Sequence, residues 1–380
     1  MTPEPSGHKK TFIEATHADQ ARDLLISGLR VRPVAVVPDR PVQTAAGVMA
    51  STPLVLVDVH TRDGVVGCSY VRCYTPLALA ATARLLEDLG EIVVGVRLDP
   101  DEVRATLQAR FRLLGLQGLV TIAIAGVEMA AWDARAKAHG VPLAKLLGGE
   151  PRPIPAYASL RTMAPGAAAE EAGEAVARGF GGVKLKLGGG TLADDLDAVR
   201  AVRGAIGQRT ELMVDYNQSL SVDEAVHRVQ ALDAKGLTWI EEPTRADDYA
   251  GHARIAARTR TPIALGENWW GPHDMEKSIA ARASDYATLD VMRLGGVRGW
   301  LTAASLAARA GLPASSHTFP ELSVQLLALT PTGHRLEYLD HAGAILTEPI
   351  RVDGGLAYPP DRPGSGLEWD EAAVRHWAVS

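Results

Sequence analysis

The feature that most constrains this chain is a recurrence. From residue 183 onward, a short apolar run meets a charged or titratable residue every 20 to 30 positions: VKLKLGG with Lys184 and Lys186, LMVDYN with Asp215, LTWIEEP with Glu241, IALGEN with Glu267, ATLDVM with Asp290, PASSH with His317 and RLEYLD with Glu337. That spacing is the length of one strand, one helix and two loops, so it predicts repeated βα units closing a parallel barrel. Between the runs, residues 168–178, 193–206, 222–234 and 300–310 place apolar residues three and four apart, the pattern of helices with one face against a core. In such a barrel the C-terminal ends of the strands open into one mouth. Residues distant in sequence therefore converge there.

At 380 residues the chain exceeds one barrel, so a companion domain is required. Residues 25–70 alternate apolar and polar, with a turn at Asp63 and Gly64, and helical patterns follow at 77–89, 100–113 and 118–140. The reading is an α/β protein. A modified TIM barrel, (β/α)7β, spans 149–344 and an α+β capping domain spans 21–148. Residues 1–20 form a disordered tail, and 345–380 form a C-terminal segment packing back on the cap. Cys68 and Cys73 lack the second pair that a zinc site needs and read as free thiols of a reducing compartment. No stretch approaches ~18 consecutive apolar residues, and no charged start precedes an apolar segment, so a cytoplasmic protein without a membrane partner is expected. A net charge of -6 gives no field for nucleic acid. Barrels of this kind expose broad surfaces, which favours a symmetric homo-oligomer, an octamer included.

The residue types define a chemistry. Lys184 and Lys186 share one face of their strand and project together into the mouth, where mutual repulsion and desolvation lower a lysine pKa and prepare a base. Asp215, Glu241 and Glu267, from three successive strands, form a negative cluster that needs a cation, and hard oxygen ligands suit Mg²⁺, with Mn²⁺ able to substitute. Asp290 and His317 end adjacent strands, so the carboxylate orients the imidazole and raises its basicity. Lys186 and His317 would then flank a bound acid, one base for each face of its α-carbon.

The strings MVDYNQSL (213–220), TWIEEPT (238–244), GENWWGP (266–272), GGVRGW (295–300) and SSH (315–317) resemble the enolase superfamily, specifically its mandelate racemase subgroup. The resemblance covers nearly the whole chain after the tail. It implies Asp215, Glu241 and Glu267 as Mg²⁺ ligands, Lys186 as the base for the S face, and His317, paired with Asp290, as the base for the R face. Lys184 would neutralise a substrate carboxylate oxygen, and a protonated Glu337 would donate to the oxygen that gains charge in the ene-diolate. Asn217 would bond the α-hydroxyl, and Ser159 would help to hold the carboxylate.

The chain departs from the family pattern where the substrate side chain is read. Tyr74 is kept, but Arg72 stands where a phenylalanine is usual, Met49 replaces a valine and Thr318 a leucine just after the histidine. A guanidinium in an apolar pocket costs several kcal/mol unless paired, so Arg72 favours a polar or anionic substrate, unless it turns to solvent. The expected activity is that of an isomerase, a Mg²⁺-dependent racemase or epimerase of a small 2-hydroxy acid. The alternative is a hydro-lyase, an acid-sugar dehydratase using the same residues. A third reading, a non-catalytic barrel, predicts decay of the constellation, yet every charged position is present. Trp269 and Trp270 read as packing, and His227, His252, His273, His334 and His341 as surface or structural residues.

Overall fold

A computed structural model describes residues 24–379; the tail expected over 1–20 lies outside the described residues. The cap opens with three long antiparallel strands in the order β1 (Ile26–Val36), β4 (Thr52–Thr61), β5 (Val66–Arg72), and a short hairpin, β2 (Val42–Thr44) and β3 (Gly47–Met49), sits between the first two in sequence. Strand β4 is buried almost throughout because it is central in its sheet and helices cover that sheet. The covering helix Leu119–Ala138 is buried nearly all round, as an Ala-rich helix without a polar face must be. It approaches so closely that a Cβ at Gly67 would lie 2.1 Å from the Ala130 carbonyl oxygen. Helices Leu79–Val93 and Pro100–Arg110 complete the cap.

Eight parallel strands form the barrel: β6 (Ile154–Ser159), β7 (Gly182–Lys186), β8 (Glu211–Asp215), β9 (Ile240–Glu241), β10 (Ile263–Leu265), β11 (Tyr286–Leu289), β12 (Ala314–Ser316) and β13 (Leu336–Tyr338). Each pairs with the next in sequence from β6 to β12, and β13 pairs with β6. The ring closes where His334 N–H donates to the Ala314 carbonyl at 2.8 Å and Ser316 N–H to that of Arg335 at 3.0 Å. An α-helix follows each of the first seven strands, whereas after the eighth come only the 3₁₀ turn Gly343–Ile345 and, in the C-terminal segment, the helix Glu371–Trp377, which is the (β/α)7β pattern. Tyr157, Met213, Trp239 and Ala264 fill the interior as a buried layer of their own, so the barrel is a plugged scaffold and not a pore.

Cap and barrel are joined at several points. Glu128, on the long cap helix, accepts the N–H groups of Val297 (2.8 Å) and Arg298 (2.9 Å), satisfying the open start of a barrel helix. Gln43 in the cap hairpin donates its N–H to the Arg161 carbonyl (2.8 Å) and accepts that of Met163 (3.0 Å), which fixes the hairpin beside β6. The C-terminal residues return to the cap: Trp369 Nε1 donates to Asp58 (2.6 Å), Ser365 bonds Asp133 through N–H and hydroxyl, and Arg32 pairs with both Asp58 and Glu371. The same segment also contributes an antiparallel hairpin, β14 (Arg351–Asp353) and β15 (Leu356–Tyr358), beside the start of β6, an element that the sequence reading did not contain. Cys68 and Cys73 are buried free thiols. Among the described residues no helix is long and apolar enough to cross a membrane.

Candidate active site

Asp215 and Glu241 are the last residues of β8 and β9 and face each other in the strand register. Glu267 lies two residues beyond β10, after Gly266, whose φ of 145° and close approach to the Thr288 carbonyl exclude a side chain. The three carboxylates are buried and each offers an oxygen within 4.8 Å of the other two. Glu241 Oε2 accepts from Lys184 Nζ (2.9 Å) and Trp239 Nε1 (3.1 Å), whereas its Oε1 is buried without any partner. Burial, together with the charge of neighbouring acids, pushes the pKa of both Asp215 and Glu241 upward against the pull of Lys184. Crowded carboxylates with an orphaned oxygen fit a hard divalent cation. Asn217 donates its N–H and side-chain amide to the two Asp215 oxygens (2.8 and 2.9 Å) and fixes that carboxylate, while its own Oδ1 is buried and unpartnered. Glu242 turns away and takes the Asn268 amide, so it is the first glutamate of the pair that joins the cluster.

Lys184 reaches Glu241 and Glu337 at 2.9 Å and Asp215 at 3.7 Å. Burial lowers its pKa, but these carboxylates outweigh burial and hold it well above the usual lysine range. Of the two lysines, Lys184 is thus the one held cationic, by the acids around it. Lys186 Nζ donates to Ser159 Oγ at 3.3 Å and has no carboxylate ion pair among the described residues. His317 Nδ1 lies 2.7 Å from Asp290 and its Nε2 3.5 Å from Glu267. Burial lowers the imidazole pKa, and Glu267 with the Asp290 hydrogen bond raises it further than burial lowers it. Around the ring, β7 and β12 are three strands apart on one side and five on the other, so the two bases enter the mouth from well-separated directions.

Two of these residues stand otherwise in the free protein than their expected roles suggest. Glu337 is an acceptor: Oε1 takes Lys184 and Oε2 takes the Thr318 N–H at 3.0 Å. Burial favours its neutral form, but Lys184, His317 and Lys186 hold it well below the usual carboxylate range, so the free site keeps it ionised and not as the expected protonated donor. Thr318 is not a wall of the cavity. Its φ of 49° aims its N–H at Glu337 and its hydroxyl at Asp290 (3.5 Å), which makes it a positioning residue for both acids. Ser159 holds Lys186 and opens on a neighbouring cavity of about 550 Å³ along with Arg161 and His341.

The central cavity, of about 370 Å³, is roofed by residues of the cap hairpin, Arg72 and Tyr74, and floored by Lys184, Lys186, Asp215, Asn217, Glu267, His317 and Glu337. Arg72 is only 4% exposed, so it does not turn to solvent. Its Nη2 lies 3.5 Å from the Met49 sulfur and its guanidinium carbon 4.3 Å from the Tyr74 ring centroid. Sequence reasoning missed Arg293, which lines the same cavity with its guanidinium carbon 4.5 Å from the Tyr74 ring and 4.7 Å from that of Trp270. Its signal was available: it lies three residues past Asp290, in a loop that opens from a strand end into the mouth. Of the seven non-glycine residues with positive φ among those described, six (Tyr74, Asn217, Gln218, Glu242, Thr318 and Phe319) lie at or beside this site; Arg282 ends a helix.

Known proteins share this arrangement. Residues 28–148 match the mandelate racemase/muconate lactonizing enzyme N-terminal domain, and residues 167–373 match the enolase C-terminal domain-like family. A 3,6-anhydro-α-L-galactonate cycloisomerase of Streptomyces coelicolor is 32% identical over 90% of this chain and 96% of its own. An L-talarate/galactarate dehydratase of Salmonella typhimurium is 32% identical over 87% of this chain and 83% of its own. The crystal structure of a Bradyrhizobium enolase complexed with magnesium and mandelic acid superposes with a TM-score of 0.90 at 43% identity, covering 95% of this chain and all of that one. Cap, barrel and carboxylate cluster together place the chain in the enolase superfamily, within its mandelate racemase/muconate lactonizing enzyme branch.

Proposed function

We propose that this protein is a Mg²⁺-dependent enzyme that removes the α-proton of a small 2-hydroxy carboxylic acid, and that its two bases make it a racemase or epimerase. The observation that carries the reading is the placement of Lys186 and His317 in one cavity beside the Asp215, Glu241 and Glu267 cluster. Asp215, Glu241 and Glu267 would hold the cation, and Mg²⁺ supplies Lewis-acid stabilisation of negative charge on the substrate carboxylate. The Bradyrhizobium structure, with magnesium and mandelic acid, supports both the ion and the acid class.

The chain's own groups supply the rest. One base takes the proton from the α-carbon, the C–H bonding pair moves into the carboxylate, and the other base returns a proton to the opposite face. Asp290 holds the His317 ring through Nδ1, which leaves Nε2 toward the cavity. Lys184, kept cationic by its acids, offers a fixed positive charge to the oxygens that gain electrons, and a fixed charge strengthens its contact only as charge arrives. The unpartnered Asn217 Oδ1 is free to accept the α-hydroxyl. A second reading, dehydration of an acid sugar, is favoured by the buried Arg72, which asks for a polar substrate, and by the likeness to a talarate/galactarate dehydratase. In it the first base removes the α-proton and the other protonates a departing β-hydroxyl.

Incubation with Mg²⁺ in D₂O, using separate enantiomers of mandelate and lactate together with tartrate and aldonic acids, tests the proposal. Deuterium at the α-carbon with no loss of water supports racemisation, and a 2-keto product supports dehydration. Absence of both with every acid counts against an α-proton enzyme. His317→Asn should stop exchange from the R enantiomer, by about 10²-fold or more, while exchange from S continues through Lys186.

A further inference from the structure

The cap-facing wall of the cavity holds two guanidiniums packed on one ring, and Arg293 lies within electrostatic reach of Asp290 and Glu267. Arg72 and Arg293 lie 4.3 and 4.5 Å from the Tyr74 centroid, both line the central cavity, and neither has a carboxylate ion pair among the described residues. The polar atom that Arg72 meets with its Nη2 is a thioether, a weak acceptor, and Arg293 Nε reaches the Tyr74 hydroxyl at 3.4 Å. A guanidinium keeps its proton at any physiological pH, so neither residue can escape burial by becoming neutral. Two cations against one aromatic ring, with donors left over, put positive charge on the cavity wall. His341, in the neighbouring cavity, is buried with both ring nitrogens unpartnered, and burial, followed by the charges of Arg72, Arg161, His317 and Lys186, holds its pKa well below the usual imidazole range. An apolar substrate group placed here would remove water from both guanidiniums and give nothing back, whereas a carboxylate would accept from their planar forks.

We infer that Arg72 and Arg293 form a second anion-binding subsite beside the Tyr74 ring, and that the substrate is a hydroxy diacid whose distal carboxylate they hold. This rests on the α-proton chemistry proposed above for the reacting end, and it holds for epimerisation and dehydration alike. Arg72 comes from the cap and Arg293 from a barrel loop, so a bound diacid would also tie the two domains together across Tyr74.

The test compares galactarate with galactonate, which differ only at carbon 6, and tartrate with glycerate, under Mg²⁺ in D₂O, following α-deuteration and 2-keto product. The parent enzyme should favour the diacid of at least one pair by tenfold or more in kcat/KM. Arg72→Met and Arg293→Gln should each reduce that preference at least tenfold, mainly through KM. Preference for the monoacid in both pairs, or a preference untouched by both substitutions, overturns the subsite. If no acid reacts, the proposed chemistry fails while the subsite is still read by calorimetric titration with Mg²⁺ present. Tighter binding of galactarate than galactonate, lost in Arg72→Met, then supports it, and equal or absent binding overturns it. A melting temperature at or above the parent's in each variant separates these outcomes from loss of fold.

Discussion

The two ends of the cavity treat charge in opposite ways. At the end built from barrel strands, ions meet counterions at bonding distance: Lys184 touches Glu241 and Glu337, and His317 touches Asp290. At the end built from the cap and a loop, Arg72 and Arg293 meet a ring, a thioether and a phenol. A third case lies at the seam between the domains, where Glu321 is buried with no cation, accepts the Tyr70 hydroxyl at 2.9 Å, and has its pKa pushed up to about 7 by burial and by Asp340. A buried carboxyl can shed its charge by binding a proton, and a guanidinium cannot. The contrast separates charge paired with counterions at bonding distance in the free protein from guanidiniums that have no ion pair among the described residues and keep donors for a ligand.

Three changes would break or sharpen this contrast. The largest effect is expected from Glu241→Gln, which removes the charge behind the orphaned Oε1. α-Proton exchange should fall by about 10³-fold or more, with weakened Mg²⁺ binding in a calorimetric titration. Parent-like Mg²⁺ affinity would show that the carboxylate end is not built around a cation. Next is Arg72→Met, which replaces an unpaired buried ion with an apolar side chain of similar length. The unliganded protein should gain stability, by about 1 kcal/mol or more, seen as a melting temperature higher by about a degree or more. A lower melting temperature would mean that Arg72 is structurally compensated and the contrast false. The smallest effect concerns Glu321→Gln. The folded pKa of Glu321, about 7, lies above the unfolded carboxyl value of ~4.3, so the folded state holds the extra proton between them. Its stabilising contribution is complete below the lower value and is lost as pH rises through the upper one. Melting curves at pH 5 and pH 8 should therefore show the variant gaining on the parent at the higher pH, and an equal difference at both would place the proton elsewhere.

Much of the reacting end was legible because strand geometry is regular. The two-residue period puts Lys184 and Lys186 on one face, and the βα repeat delivers Asp215, Glu241, Glu267, Asp290 and His317 to one rim. Legibility stopped where the chain leaves the strands. Asn217 reaches Asp215 through a left-handed turn, not through strand alternation, and Thr318 points its N–H into the site for the same reason. Asn is one of the few residues that favours a positive φ, but nothing in a β-branched Thr announces one. The charge state of Glu337 was hidden differently, since it depends on the reach of Lys184 from a strand two places away in the ring. Arg293 was passed over although its place three residues past Asp290 marked it, because a single arginine in a loop reads as solvated; its approach to Tyr74 is visible only in the fold.

The bent backbone around the mouth has a consequence for how specificity can diverge. Tyr74, Asn217, Gln218, Glu242, Thr318 and Phe319 occupy a conformation that few L-residues tolerate, so exchanges there disturb the main chain as well as the side chain. Met49 and Arg72 instead close ordinary extended strands, β3 and β5, where almost any residue can stand. Mutational drift toward new acids should therefore accumulate at those two cap positions first, leaving the rim of the barrel as the slow-changing part of a shared catalyst.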